Sequence, residues 1–238
     1  MYLQNLQVLI LCDCSRLRKL PESICKLRYL KYLTLLGSGI KVFRNGLKDM
    51  ISLQRLDINR CYSLRYLPFR IEKLTSLRML PRFPIGKERG AKIMELGDLN
   101  LLEGKLKIEG LSNVGGLSEA KSANLICKTK LSVLVLDWLD KGTTTDELQT
   151  PEMFPYIEEV LEGLEPNPSL EILKLFRYMG KTISPSRMDN LRNLVEIVFY
   201  DCKKCEHIPP LGRPPSLRVI RLGCMNSLKY FHDYDINM

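Results

Sequence analysis

Cys202-Lys203-Lys204-Cys205 and Cys12-Asp13-Cys14 are the residues whose spacing first suggests chemistry. A Cys-x-x-Cys pair suits a zinc ion or a redox dithiol, because both use soft thiolates held close together. A closed zinc site needs four ligands, yet there is no second Cys-x-x-Cys and only two histidines, His207 and His232. Gly180-Lys181-Thr182 has the ending of a phosphate-binding loop, but the glycine required five residues earlier is Leu175. Without it the loop cannot turn successive amides toward a phosphate. No Gly-x-Ser-x-Gly or His-Glu-x-x-His occurs, and neither histidine has an evident carboxylate partner in the sequence. The chain is therefore not expected to be an enzyme, and the thiols need another explanation.

A repeat supplies it. Leucine accounts for 43 of the 238 residues. The pattern Leu-x-x-Leu-x-Leu recurs at Leu6/Leu9/Leu11, Leu30/Leu33/Leu35, Leu53/Leu56/Ile58, Leu170/Leu173/Leu175, Leu194/Ile197/Phe199 and Leu217/Ile220/Leu222. Successive starts lie 24 and 23 residues apart in each group of three. Eight residues after the first leucine stand Cys14, Ser38, Cys61, Cys202 and Met225. In leucine-rich repeats this site holds Asn or Cys, turned inward to satisfy backbone groups as the chain leaves its strand. Cys14, Cys61 and Cys202 are thus repeat residues, and Cys205 takes a core leucine's place.

Weaker units lie between the two groups. Leu77/Leu80 opens one that Pro81 interrupts, while Leu106/Ile108 and Leu131/Leu134/Leu136 supply two more strands. The expected fold is an α/β solenoid: a curved leucine-rich-repeat horseshoe of about nine irregular units, with a parallel β-sheet on its concave face. Three segments are expected. Residues 1–80 form basic N-terminal repeats, 81–130 an irregular linker and repeat with a short helix, and 131–238 the C-terminal repeats. An insertion at 139–169 carries its own helix from Pro155 to Glu165. No apolar run approaches the length of a membrane span.

Charge is divided unevenly. Residues 1–119 hold 21 Lys+Arg against 11 Asp+Glu, whereas residues 120–238 hold 15 against 16. A basic half of this kind attracts an acidic surface. Nucleic acid is disfavoured as that surface, because the cations are not interleaved with stacking aromatics and no recognition motif is present.

Several stretches resemble the C-terminal region of plant coiled-coil-type nucleotide-binding leucine-rich-repeat disease-resistance proteins. They run from Leu17 to Leu27, Leu74 to Phe83, Glu95 to Asn100, Gly104 to Ile108, Gly110 to Val114, Glu119 to Leu125, Leu134 to Trp138, Val160 to Pro166 and Pro209 to Gly212. The resemblance implies a cytoplasmic protein-recognition and autoregulatory module of an immune receptor. Its partners would be a pathogen effector or a guarded host protein, and the receptor's own nucleotide-binding domain. It implies no cofactor in this chain, since ADP or ATP would bind that other domain, which the sequence lacks. The chain starts and ends inside a repeat, so a fragment or a truncated product is expected. A free-standing leucine-rich-repeat adaptor or scaffold is the alternative, followed by a basic nucleic-acid-binding solenoid.

Candidate contacts follow from the strand pattern. Lys31, Arg55, Arg60, Lys105 and Lys107 are expected to dock on an acidic domain surface. Trp138, Phe176, Arg177, Tyr178, Tyr200, Arg218 and Arg221 are expected to stand exposed on a sensing face, since aromatic residues and Arg make binding hot spots.

Overall fold

The computed structural model describes residues 3–43, 45–139, 156–183, 190–208 and 214–231. Most of the insertion, Pro155, Pro209 to Gly212 and His232 lie outside them. The strands are β1 (Val8–Ile10), β2 (Tyr32–Thr34), β3 (Arg55–Asp57), β4 (Arg82–Pro84), β5 (Glu103–Glu109), β6 (Lys130–Asp137), β7 (Ile172–Phe176), β8 (Glu196–Tyr200), β9 (His207–Ile208), β10 (Val219–Gly223) and β11 (Tyr230–Phe231). All their pairings are parallel, and neighbours are one repeat apart. The chain is a leucine-rich-repeat horseshoe, as its spacing predicts.

The repeat leucines carry the fold. Leu30, Leu33, Leu35, Leu53, Leu56, Ile58, Leu175 and Phe199 are completely buried. Strand side chains alternate, so Leu33 and Leu56 point into the core while Tyr32, Thr34, Arg55 and Asp57 face the concave side. The return path consists mainly of single-turn 3-10 segments such as Glu22–Lys26, Ile71–Lys73 and Ile93–Leu96. Two short α-helices join them: α1 (Leu117–Lys121), where the short helix was expected, and α2 (Ile157–Gly163), the described part of the insertion helix.

Seven of the turns use one left-handed residue just past the strand. Asp13, Gly37, Arg60, Gly110, Arg177, Asp201 and Cys224 all have φ between 50° and 80°. They fall at one repeat position, immediately before the inward-turning site. The inward thiols then act as expected. Cys61 Sγ donates to the Leu35 carbonyl at 2.9 Å, and Cys202 Sγ to the Leu175 carbonyl at 3.7 Å. Each reaches the last core residue of the preceding repeat.

The ladder breaks once between β1 and β8. Strands β1–β3 form one sheet, and β4–β8 with β10 form another. Leu56 N–H still reaches the Met79 carbonyl at 3.0 Å. The next rung would need an N–H from residue 81, and Pro81 has none. The strand resumes at Arg82, with Phe83 and Ile85 directed into the core.

Candidate functional site

Pairing across the larger sheet sets the concave side chains in rows. One row reads Arg82, Lys107, Val135, Lys174, Val198, Arg221. The next reads Pro84, Glu109, Asp137, Phe176, Tyr200, Gly223. From Lys107 onward cations and valines alternate, beside a row of carboxylates and rings. Val135 and Val198 are buried, yet they do not belong to the hydrophobic core cluster.

Ion pairs bind the rows together. Arg82 Nη2 lies 2.6 Å from Glu109 Oε2, and Lys107 Nζ lies 2.9 Å from Glu109 Oε1 and 2.8 Å from Asp137 Oδ2. Arg177 forks onto Asp137, with Nε donating to Oδ1 at 2.8 Å. Lys107 Nζ also stands 6.0 Å from the centroid of the Phe176 ring, within reach of a cation–π attraction. Farther along, Glu196 takes Arg221 Nε at 3.0 Å and Lys174 Nζ at 3.5 Å.

Protonation follows from this packing. Burial alone would raise the Glu109 carboxyl, but hydrogen bonds and charge from Arg82, then Lys107, hold it below its ordinary value. Burial alone would lower Lys107, and the charges of Glu109 and Asp137 reverse that and raise it. The hydrogen bond from Arg221 is the main reason that Glu196 is lowered.

The sequence-predicted contacts divide into groups. Lys107, Phe176, Arg177, Tyr200 and Arg221 come together in these rows or at their margin. Lys105 stands exposed on β5 beside Val133 of β6. Arg218 is exposed immediately before β10. Lys31, half-buried, and the exposed Arg55 and Arg60 belong to the smaller sheet or its turns.

Trp138 and Tyr178 do not stand on the sensing face: both are completely buried. Tyr178 lies eight residues after Leu170, at the same inward-turning site as Cys61 and Cys202. Its hydroxyl donates to the Thr182 carbonyl at 2.7 Å, and its ring meets Trp138 edge-on at 4.7 Å. The repeat register contains the signal for this inward turn.

Arg82, Glu109, Asp137, Lys174 and Glu196 are site residues that attention to aromatic residues and unpaired cations missed. Strict alternation along β5 and β7 would have placed Glu109 and Lys174 on the concave face. Arg82 had no such signal, because Pro81 displaces its strand from the repeat register.

The decoy motifs also find their roles. Gly180 passes under Tyr178, where a β-carbon would overlap the phenol oxygen and Cζ. The amides of Lys181 and Thr182 and the Thr182 hydroxyl donate to Glu158 Oε1 on α2, at 3.0, 3.2 and 3.3 Å. A carboxylate of the chain itself occupies the place a phosphate would need. Among the described residues no cluster of three or more metal-ligand side chains occurs.

The fold and its relatives agree. The chain superposes on the crystal structure of the TLR13–ssRNA13 complex with a TM-score of 0.55 at 18% identity, covering 97% of this chain and 34% of that one. A protein of Arabidopsis thaliana named for disease resistance is 33% identical over 95% of this chain and 18% of its own length. Disease resistance protein RGA2 of Solanum bulbocastanum is 32% identical over 69% of this chain and 16% of its own. The chain therefore spans less than a fifth of either relative. Residues 93–225 match the family model of the R13L1/DRL21 leucine-rich repeats. This match covers more than half of the chain, which belongs to the R13L1/DRL21 leucine-rich-repeat family.

Proposed function

We propose that the chain is the protein-recognition and autoregulatory repeat module of a plant immune receptor acting in the cytoplasm. The observation that carries this reading is the concave face of β5–β8. Phe176 and Tyr200 lie there with ring centroids 5.9 Å apart, bordered by Lys107, Arg177 and Arg221. Accessible aromatic rings inside a polar rim have the anatomy of a protein interface. The kinship with disease-resistance proteins supplies the setting. Recognition of a pathogen effector or a guarded host protein falls to this face. None of the eight cysteines, all among the described residues, forms a disulfide, which suits a reducing compartment.

The basic N-terminal half restrains the receptor by resting on an acidic surface of its nucleotide-binding domain, which is where ADP or ATP binds. Lys31, Arg55, Arg60 and Lys105 are the contacts. Each exposed pair contributes only about 0–1 kcal/mol, so the docking is reversible. The test is to reverse these four charges together and titrate the chain with the purified nucleotide-binding domain of a plant immune receptor at low salt. Loss of binding is expected. Binding that survives removes the docking half of the proposal.

A further inference from the structure

On the larger sheet's concave face, the carboxylates lie deep and the cations stand outward. Asp137 and Glu109 are 1% and 4% exposed, and Glu196 is 17% exposed. Lys107, Lys174 and Arg177 are between 26% and 30% exposed, and Arg221 reaches 67%. Each carboxylate is already shared by two cations: Glu109 by Arg82 and Lys107, Asp137 by Lys107 and Arg177, Glu196 by Lys174 and Arg221. Five cations therefore stand against three anions, and the surplus faces solvent.

The cations keep donors in reserve. Arg177 bonds Asp137 through Nε and Nη2, and Arg221 bonds Glu196 through Nε, so Arg177 Nη1 and both Arg221 Nη groups can still donate. Beside them lies an apolar patch made by Phe176 and Tyr200. Gly223 keeps it open, since a β-carbon there would come within 2.8 Å of Tyr200 Cδ2.

We infer that this face takes an extended acidic peptide segment carrying an aromatic or large apolar side chain. Its ring lies on Tyr200 and Phe176, and its flanking carboxylates are held by Arg221, Lys174 and Arg177. Two surplus cations match one or two carboxylates, and guanidinium groups suit them geometrically. A nucleic acid fits less well. The three carboxylates beneath oppose a continuous phosphate backbone, and Phe176 and Tyr200 are tilted by 54° rather than aligned as a stacking platform. The inference rests on the reading of the concave face as the recognition surface, and adds the chemistry of what it recognises.

The test is to select phage-displayed random dodecapeptides on the whole chain, then measure the enriched sequences as labelled peptides by fluorescence anisotropy. Asp or Glu on both sides of Phe, Tyr, Trp or Leu is expected. Binding should weaken with salt and fall about tenfold or more with Tyr200→Ala or with Arg221→Glu, both exposed positions. Arg65→Glu, at an exposed position outside the sheets, should leave it unchanged. Neutral or basic peptides that still depend on Tyr200 would overturn the acidic specificity and leave the concave-face reading standing. Peptides indifferent to both substitutions would overturn both. Failure to enrich any acidic sequence, or displacement of the peptide by single-stranded RNA with a sequence preference, also ends the proposal.

Discussion

The Arg82 guanidinium is anchored on Glu109 through an Nη2–Oε2 contact of 2.6 Å, and its Nη1 reaches the Ile58 and Cys61 carbonyls at 3.3 and 3.1 Å. Those carbonyls lie at the end of the smaller sheet, beyond the rung that Pro81 cannot make. One side chain thus bonds across a gap in the backbone ladder while neutralising a buried carboxylate. Removing Glu109 leaves the Arg82 charge buried without a carboxylate, whereas removing Arg82 leaves Glu109 held by Lys107 alone. Glu109→Ala should cost about 3–5 kcal/mol, Arg82→Ala less, and the double variant less than their sum. Urea unfolding of the four proteins measures this, and additive effects would show that the two residues act separately.

Acid should weaken the fold through the same carboxylate. Glu109 is held below its ordinary value of 4.5. Above that value it is ionised in both the folded and unfolded chain, and its stabilising effect is complete. As pH falls below it, the unfolded chain binds the proton first, so stability drops until the folded carboxyl is protonated as well. Glu109→Gln should flatten this part of the acid slope. Thermal melts from about pH 5 downward compare the two proteins, and parallel slopes would count against the assignment.

Lys128 acts in the opposite range. It is wholly buried, with Nζ donating to the Leu96 carbonyl at 2.7 Å, and burial lowers its pKa to about 8. Between that value and the ordinary value of 10.5, the unfolded chain holds a proton that the folded chain has lost. Stability from this residue therefore rises with pH across that window. The difference in melting temperature between the wild type and Lys128→Met should shift in favour of the wild type over the same range. A constant difference would mean that the folded lysine keeps its ordinary pKa.

Gly180 should tolerate no side chain while Tyr178 keeps its place. Gly180→Ala forces the phenol off the Thr182 carbonyl or moves the backbone, at a cost of about 1–3 kcal/mol. Tyr178→Phe, which loses only the hydrogen bond, should cost about 1 kcal/mol. Near-neutral melting of Gly180→Ala would show that the close approach is not needed.

The thiols should divide by position rather than by motif. Cys12, Cys127 and Cys224 are exposed, whereas Cys61, Cys202 and Cys205 are buried. Burial also pushes Cys202 up to about 12 and raises Cys205. Alkylation followed by mass spectrometry should modify the exposed three rapidly, and the buried three only on unfolding. Rapid labelling of the Cys202/Cys205 pair in the native chain would argue for a reactive dithiol.

Much of the architecture was legible in the residues, because a repeat states the same local rule many times. The spacing of Leu53, Leu56 and Ile58 fixes which side chains enter the core, and the Cys61 and Cys202 positions fix the inward turn after the strand. Periodicity also determined that Arg55, Lys107 and Tyr200 face outward. It could not say which outward residues meet. Asp137 and Arg177 are 40 residues apart in the chain, and their fork exists only because β6 and β7 pair in one particular register. The burial of Trp138 was likewise settled by packing, since its ring lies edge-on against Tyr178, whose own inward turn the repeat register had marked. Sequence alone thus determined the solenoid and its two faces. The tertiary structure decided which charges are consumed in holding it together and which remain for a partner, because charges interact through space and not along the chain.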